Sequence, residues 1–113
     1  MVFINLSMVT TERFKTLALS LPGTIDAPHF DRTAFKVEGK RIYATLHQAS
    51  SSVNFKFTPQ DQSIFCEFDS EAVYPVPNKW GEQGWTTVEL SRVPEEFIQE
   101  ALETAYHSVF KKK

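Results

Sequence analysis

A single cysteine in 113 residues leaves no partner for an internal disulfide. Cys66 sits in the apolar run Ile64-Phe65-Cys66 and reads as a small buried hydrophobe. Burial of that kind raises a thiol pKa, which is the wrong direction for a nucleophile, and the usage suits a reducing compartment. No apolar run reaches transmembrane length. The opening residues Met1-Val2-Phe3-Ile4-Asn5-Leu6 lack the basic start and the length of a signal peptide. A cytoplasmic location without membrane contact is the expectation, with Met8 as an alternative start. Only four glycines are present, and none falls in a Gly-x-Ser-x-Gly or phosphate-loop pattern. His29, His47 and His107 are too widely separated for a helix-spaced or finger-type metal site. Neither a catalytic motif nor a metal or cofactor site emerges, and a non-enzymatic role is expected.

Aromatic residues are abundant by contrast: ten Phe, three Tyr and two Trp. Large rings bury large areas, so a well-anchored core is expected in a chain of single-domain length. The net charge of −2 hides a split. Residues 1–56 carry seven Lys/Arg against four Asp/Glu, whereas residues 57–113 carry five against ten. The stretch 32–56 is the most basic internal part, with Glu38 its one acid. Such an asymmetry marks a candidate anion-binding face.

The hydrophobic period divides the chain into elements. Residues 1–9 read as an extension and 10–113 as one domain. After Thr10 or Thr11 as cap, Phe14, Leu17, Ala18 and Leu21 recur at helical spacing until Pro22-Gly23 stops the helix. Residues 24–32 read as a connection. Alternation over 33–37 and 40–47 about Glu38-Gly39 predicts a β-hairpin. A two-residue loop there pairs Lys36 with Arg41 and Phe35 with Ile42. It puts Phe35, Val37, Ile42, Ala44 and Leu46 on the core face, and Lys36, Arg41, Tyr43, Thr45 and His47 outside. Residues 53–57 form a third strand, with Asn54 and Lys56 outward. Thr58-Pro59 opens a second helix burying Ile64, Phe65 and Phe68. Residues 74–81 read as a structured loop, 81–84 as a turn and 85–90 as a fourth strand. Pro94 begins a last helix whose apolar stripe is Phe97, Ile98, Ala101, Leu102, Ala105 and Val109, with Lys111–Lys113 at its C-terminus. The order α, β, β, β, α, β, α implies an α+β fold, an antiparallel sheet with helices packed on one face.

Several strings taken together resemble the MmcQ/YjbR family. They are Leu19-Ser20-Leu21-Pro22-Gly23, Pro28-His29-Phe30, Phe35-Lys36-Val37, Tyr74-Pro75-Val76-Pro77-Asn78-Lys79-Trp80-Gly81 and Gly84-Trp85-Thr86-Thr87-Val88. The Pro-Asn-Lys-Trp-Gly and Gly-Trp-Thr-Thr strings are the most specific, and the resemblance spans roughly residues 10–110. It implies a bacterial protein with a frataxin-like (CyaY-like) fold, in a family often labelled DNA-binding. The frataxin likeness suggests iron, but the first helix has Glu12 alone beside Arg13 and Lys15, too few oxygens to hold a hard cation.

Two binding readings follow. In the first, Lys36, Arg41, Tyr43, Lys56 and Trp85 project from the outer sheet face and, with Lys79, grip an anionic partner such as DNA. Cations track phosphates and flat rings stack on bases. In the second, Trp80, Trp85, Phe30 and Tyr74 line a pocket between loop and sheet for a small molecule or peptide, with His29, Asn78 and Lys79 as polar neighbours. The plain alternative is an ordinary solvated face, with Trp85 tucked under the loop at 78–81 and Trp80 capping the core.

Overall fold

Two threonines open two of the helices, as their spacing predicts. Thr10 Oγ1 accepts from the Arg13 amide at 3.0 Å and starts α1 (Thr11–Leu19). Thr58 Oγ1 accepts from the Asp61 amide at 3.1 Å and starts α2 (Pro59–Cys66), with Pro59 at the first helical position. The computed structural model describes residues 9–110. The alternative start at Met8 and the lysine run 111–113 lie outside the described residues, and Val9 already packs in the core.

The remaining elements are β1 (Thr24–His29), β2 (Arg32–Val37), β3 (Ile42–His47), β4 (Ser52–Lys56), β5 (Val73–Pro75), α3 (Asn78–Glu82), β6 (Trp85–Glu89), a 3-10 turn (Leu90–Arg92) and α4 (Glu95–Ser108). Among the described residues six antiparallel strands form one sheet in the order β1-β2-β3-β4-β6-β5. The α+β class and the one-sided helix layer are as the sequence implies; β1, β5 and α3 are additions. Residues 24–29, expected as a connection, pair along their whole length with β2. Their polar and proline-containing sequence is tolerated because β1 is an edge strand, where Pro28 needs no second partner.

Phe14 of α1 meets Phe35 of β2 and Phe55 of β4 edge-on, with centroids 5.4 and 6.0 Å apart. Phe57 stacks between Phe55 and Phe65, and Phe65 meets Phe97 of α4 at 5.4 Å. Each such pair adds about 0.5–1.5 kcal/mol beyond its burial. The expected stripe of α4 is buried in full, with Tyr106 added to it. In α2 Phe65 and Cys66 pack against the core, while Ile64 and, just past the helix, Phe68 are exposed, contrary to expectation. A helix of 8 residues lying at the margin of the layer covers only one side. Cys66 is half-buried, and burial pushes its thiol pKa up, in the expected direction.

The hairpin between β2 and β3 departs from the expected register. Glu38 and Gly39 do form the turn, closed by Lys40 N–H donating to the Val37 carbonyl at 2.8 Å. Gly39 has φ +83° and Glu38 has no positive φ, a pattern that suits a type II turn. Such a turn splays antiparallel strands instead of following their twist. Pairing resumes at Lys36 with Ile42 and then Phe35 with Ala44, which leaves Tyr43 as a bulged extra residue. Tyr43 and Ile42 therefore exchange faces. Tyr43 is fully buried on the core side, 5.8 Å from Tyr106, with its hydroxyl 2.9 Å from Thr24 Oγ1. Ile42 moves to the outer face.

Two glycines hold the segment after β5 against the sheet. A Cβ at Gly81 would sit 1.8 Å from the Val76 carbonyl oxygen, and one at Gly84 1.9 Å from that of Phe57. Gly84 also has φ +110°, so a side chain there meets both a clash and a disfavoured backbone. Gly84→Ala is expected to cost at least about 2 kcal/mol in urea unfolding, and Gly39→Ala, whose Cβ meets open space, about 1 kcal/mol. Equal losses would contradict the close approach.

Burial, partly offset by the Thr24 hydrogen bond, pushes the Tyr43 hydroxyl up to about 12. The folded state thus holds this proton more tightly than the unfolded chain, whose tyrosines ionise at about pH 10. The stability so contributed is complete below pH 10 and lost as pH rises through about 12. Tyr43→Phe should delete this alkaline component from pH-dependent unfolding and cost about 1 kcal/mol at neutral pH. An unchanged alkaline profile would contradict the buried position.

Candidate binding site

Helices α1, α2 and α4 cover one side of the sheet through the phenylalanine contacts above, and the middle of the opposite side is left to short and polar side chains. Register decides which residues meet there. Thr45 lies opposite Ala34 on one side and Asn54 on the other; Asn54 lies opposite Thr87, and Lys56 opposite Trp85. The expected outward positions of Lys36, Thr45, Asn54, Lys56 and Trp85 hold; that of Tyr43 does not.

Thr45 and Asn54 form the floor of a recess of about 380 Å³. Its walls are His29 and Arg32 on one side, Val76, Trp80 and Trp85 on the other, with Ile42 beside the floor. A second recess of about 570 Å³ adjoins it, lined by Arg41, Lys56 and Gln83 together with the shared Ile42 and Trp85. Ile42 reaches this position only because of the bulge at Tyr43.

Arg32 lies across the floor. Its Nη1 donates to Thr45 Oγ1 at 3.3 Å and to the Thr45 carbonyl at 3.4 Å. Among the described residues no carboxylate is ion-paired with it. Desolvation lowers its pKa from the ordinary guanidinium value, and the charge of Asp31 works the other way. Asn54 Oδ1 accepts from the Thr87 hydroxyl at 2.7 Å, which leaves the Asn54 amide N–H groups for the recess.

The tryptophan wall is braced from behind. Gln62 Nε2 donates to the carbonyl oxygens of Gly81 and Trp85, at 2.9 and 3.2 Å, tying α2 to α3 and β6. Asn78, at φ 66°, accepts at Oδ1 from the Trp80 amide at 3.3 Å and shapes the start of α3. Asn78 thus supports the recess from outside it. Trp80 keeps 58% of its surface exposed, so it does not cap the core.

The other expected pocket residues lie elsewhere. Tyr74 donates to Glu89 Oε2 at 2.6 Å, which raises the tyrosine pKa, and Glu89 is also ion-paired with Arg92 at 3.0 Å. Phe30 stands at the tip of the β1–β2 hairpin, 96% exposed with φ 60°, touching His29 and lining neither recess. Lys79 is exposed on α3 and also lines neither. Arg32 and Val76 belong to the site but escaped the sequence reading. The one signal for Arg32 was its place in the basic stretch 32–56.

His47 bridges two turns: Nε2 lies 3.0 Å from Asp31 Oδ2 and Nδ1 2.6 Å from Ser50 Oγ, itself 2.7 Å from Ser52 Oγ. The order matches a nucleophile–base–carboxylate chain, but neither recess reaches it. It ties the β1–β2 tip to the β3–β4 turn. Among the described residues no group of three His, Cys, Asp or Glu is placed to hold a metal ion, and no helix is long and apolar enough to cross a membrane.

The two tryptophans give the site an optical signature. Trp80→Phe should remove most of the acrylamide-quenchable emission, whereas Trp85→Phe should leave it, because Trp85 is half-buried. The reverse pattern would contradict the placement of Trp80 on the rim.

A YjbR family model matches residues 19–108. The structure of a Deinococcus radiodurans protein with a DUF419 domain is similar, with a TM-score of 0.80 and 23% identity over 96% of this chain and 84% of that one. A Pseudomonas syringae protein of known structure is also similar, with a TM-score of 0.71 and 16% identity over 88% of this chain and 98% of that one. At these identities the likenesses speak to fold alone. No functionally curated protein shows significant similarity to the chain. The match over residues 19–108 agrees with the strings singled out in the sequence, and the chain belongs to the YjbR family.

Proposed function

We propose that the chain is a non-enzymatic binding domain that takes a small anionic ligand in the recess on its outer sheet face. The observation that carries this reading is Arg32, a partly desolvated cation without an ion-paired carboxylate, facing two tryptophans across a concave floor. A recess of about 380 Å³ falls within the size range of small-molecule sites. An apolar wall with a few convergent polar groups is their usual composition.

Single-stranded DNA is the second reading, favoured by Arg41 and Lys56 beside Trp85 in the adjoining recess. Burial of Tyr43 removes one of the rings that reading relied on. The acidic balance of the whole chain also opposes a large polyanion. A cytoplasmic setting suits the free thiol of Cys66 in either case.

An amide-resolved NMR titration separates the two. The small-ligand reading expects shifts confined to Arg32, Thr45, Asn54 and Trp85 with a mixture of small organic anions, persisting at physiological salt. The DNA reading expects a short single strand to shift Lys36, Arg41 and Lys56 as well, and charge reversal at both Lys36 and Lys56 to abolish that binding. Binding to DNA that survives this double reversal would remove the outer face from the DNA reading.

A further inference from the structure

The polar atoms that face the first recess are almost all donors. Arg32 spends Nη1 on Thr45, while its Nε and Nη2 have no partner among the described residues. Thr45 Oγ1 accepts from Arg32, so its own hydrogen is left to point elsewhere. Asn54 has committed its carbonyl oxygen to Thr87 and offers its amide hydrogens. Neither indole N–H of Trp80 or Trp85 meets an acceptor among the described residues. The side-chain acceptors that remain are the His29 ring and the second lone pairs of Thr45 Oγ1 and Asn54 Oδ1, each of which already accepts once. An ammonium ligand would meet the like charge of Arg32 and more donors than acceptors, an unfavourable arrangement in a partly desolvated site.

We infer that the recess takes a ligand joining a flat ring to an oxyanion, the oxyanion on Arg32 and the ring against Trp80 and Trp85. This rests on the small-ligand reading above. The guanidinium fork matches the two oxygens of a carboxylate or phosphate and favours them over a single carbonyl. The indole faces reward a planar ring over an aliphatic chain of equal size. A ring-bearing carboxylate and a mononucleotide share this chemistry. The mononucleotide has the further option of extending its phosphate past Ile42 toward Arg41 and Lys56 in the second recess.

The test uses the full chain and four probes: 1-naphthoate, adenosine 5′-monophosphate, neutral 1-naphthamide and inorganic phosphate. Calorimetry gives affinities, and the two indole N–H resonances report the site. At least one of the first two probes should bind about tenfold or more tighter than both naphthamide and phosphate. Binding of naphthoate alone identifies a carboxylate ligand, and of the mononucleotide alone a nucleotide. Arg32→Gln should erase the advantage over naphthamide, and Trp80→Ala should weaken the ring-bearing probes only. If Arg32→Gln fails to fold, Asn54→Asp serves instead: it adds a negative charge to the floor and should weaken the anions while sparing naphthamide. Equal affinity for naphthamide overturns the oxyanion while leaving a small-ligand site standing, and equal affinity for phosphate overturns the ring. If no probe moves either indole resonance, this inference and the small-ligand reading fall together.

Discussion

The contacts of Phe14 with Phe35 and Phe55, continued from Phe55 through Phe57 and Phe65 to Phe97, join three helices to β2, β4 and the residue just after β4. This continuous aromatic layer lies wholly on one side of the sheet. The edge-on and stacked geometries let rings of one residue type pack against one another from several directions. Because the phenylalanines are committed there, the middle of the other side is furnished by Ala34, Thr45, Asn54 and Thr87, with Ile42, Trp80 and Trp85 around them. A sheet with bulk on one side and short side chains on the other has a concave open face. The recess is thus a consequence of how the core is filled.

Backbone detail then decides what the recess contains. The bulge at Tyr43 sends a tyrosine to the core, where Thr24 and Tyr106 receive it, and sends Ile42 outward between the two recesses. Gly81 and Gly84 let α3 settle against Val76 and Phe57, which brings Trp80 beside Trp85. The family strings around Asn78–Gly81 and Gly84–Thr87 accordingly serve the architecture as well as the site. Glycine supplies the close approach, and Gln62 clamps the carbonyl oxygens that result.

Charge is arranged with the same asymmetry. Arg32, Lys36 and Lys56 stand on the outer face, with Arg41 at its margin, while Glu89, the acid on β6, is already engaged by Tyr74 and Arg92. The local balance therefore opposes the net charge of the chain. Local balance is what a ligand meets at short range, since charges beyond about 10 Å are screened in ordinary salt. Arg13 and Glu95 pair on the other side of the molecule, joining α1 to α4 where both remain exposed. That pair belongs to the packing of the helices and contributes little to stability.

Much was legible from the residues alone. Helical spacing identified α1, α2 and α4, the first two with their caps, and alternation identified β2, β3, β4 and β6, because those periods report burial directly. The same alternation assigned Lys36, Asn54, Lys56 and Trp85 to the outer face, and the strings identified the family. What escaped has a common cause. An edge strand such as β1 needs no apolar alternation, so 24–29 carried no signal. A bulge shifts side chains between faces without leaving a mark in the period, so Tyr43 and Ile42 were exchanged. Convergence of Arg32, Thr45, Asn54 and Trp80 depends on three separate strands and a short helix meeting across the sheet. Sequence periodicity is a one-dimensional record of which side of an element is buried; which elements stand next to one another is settled only when the chain packs.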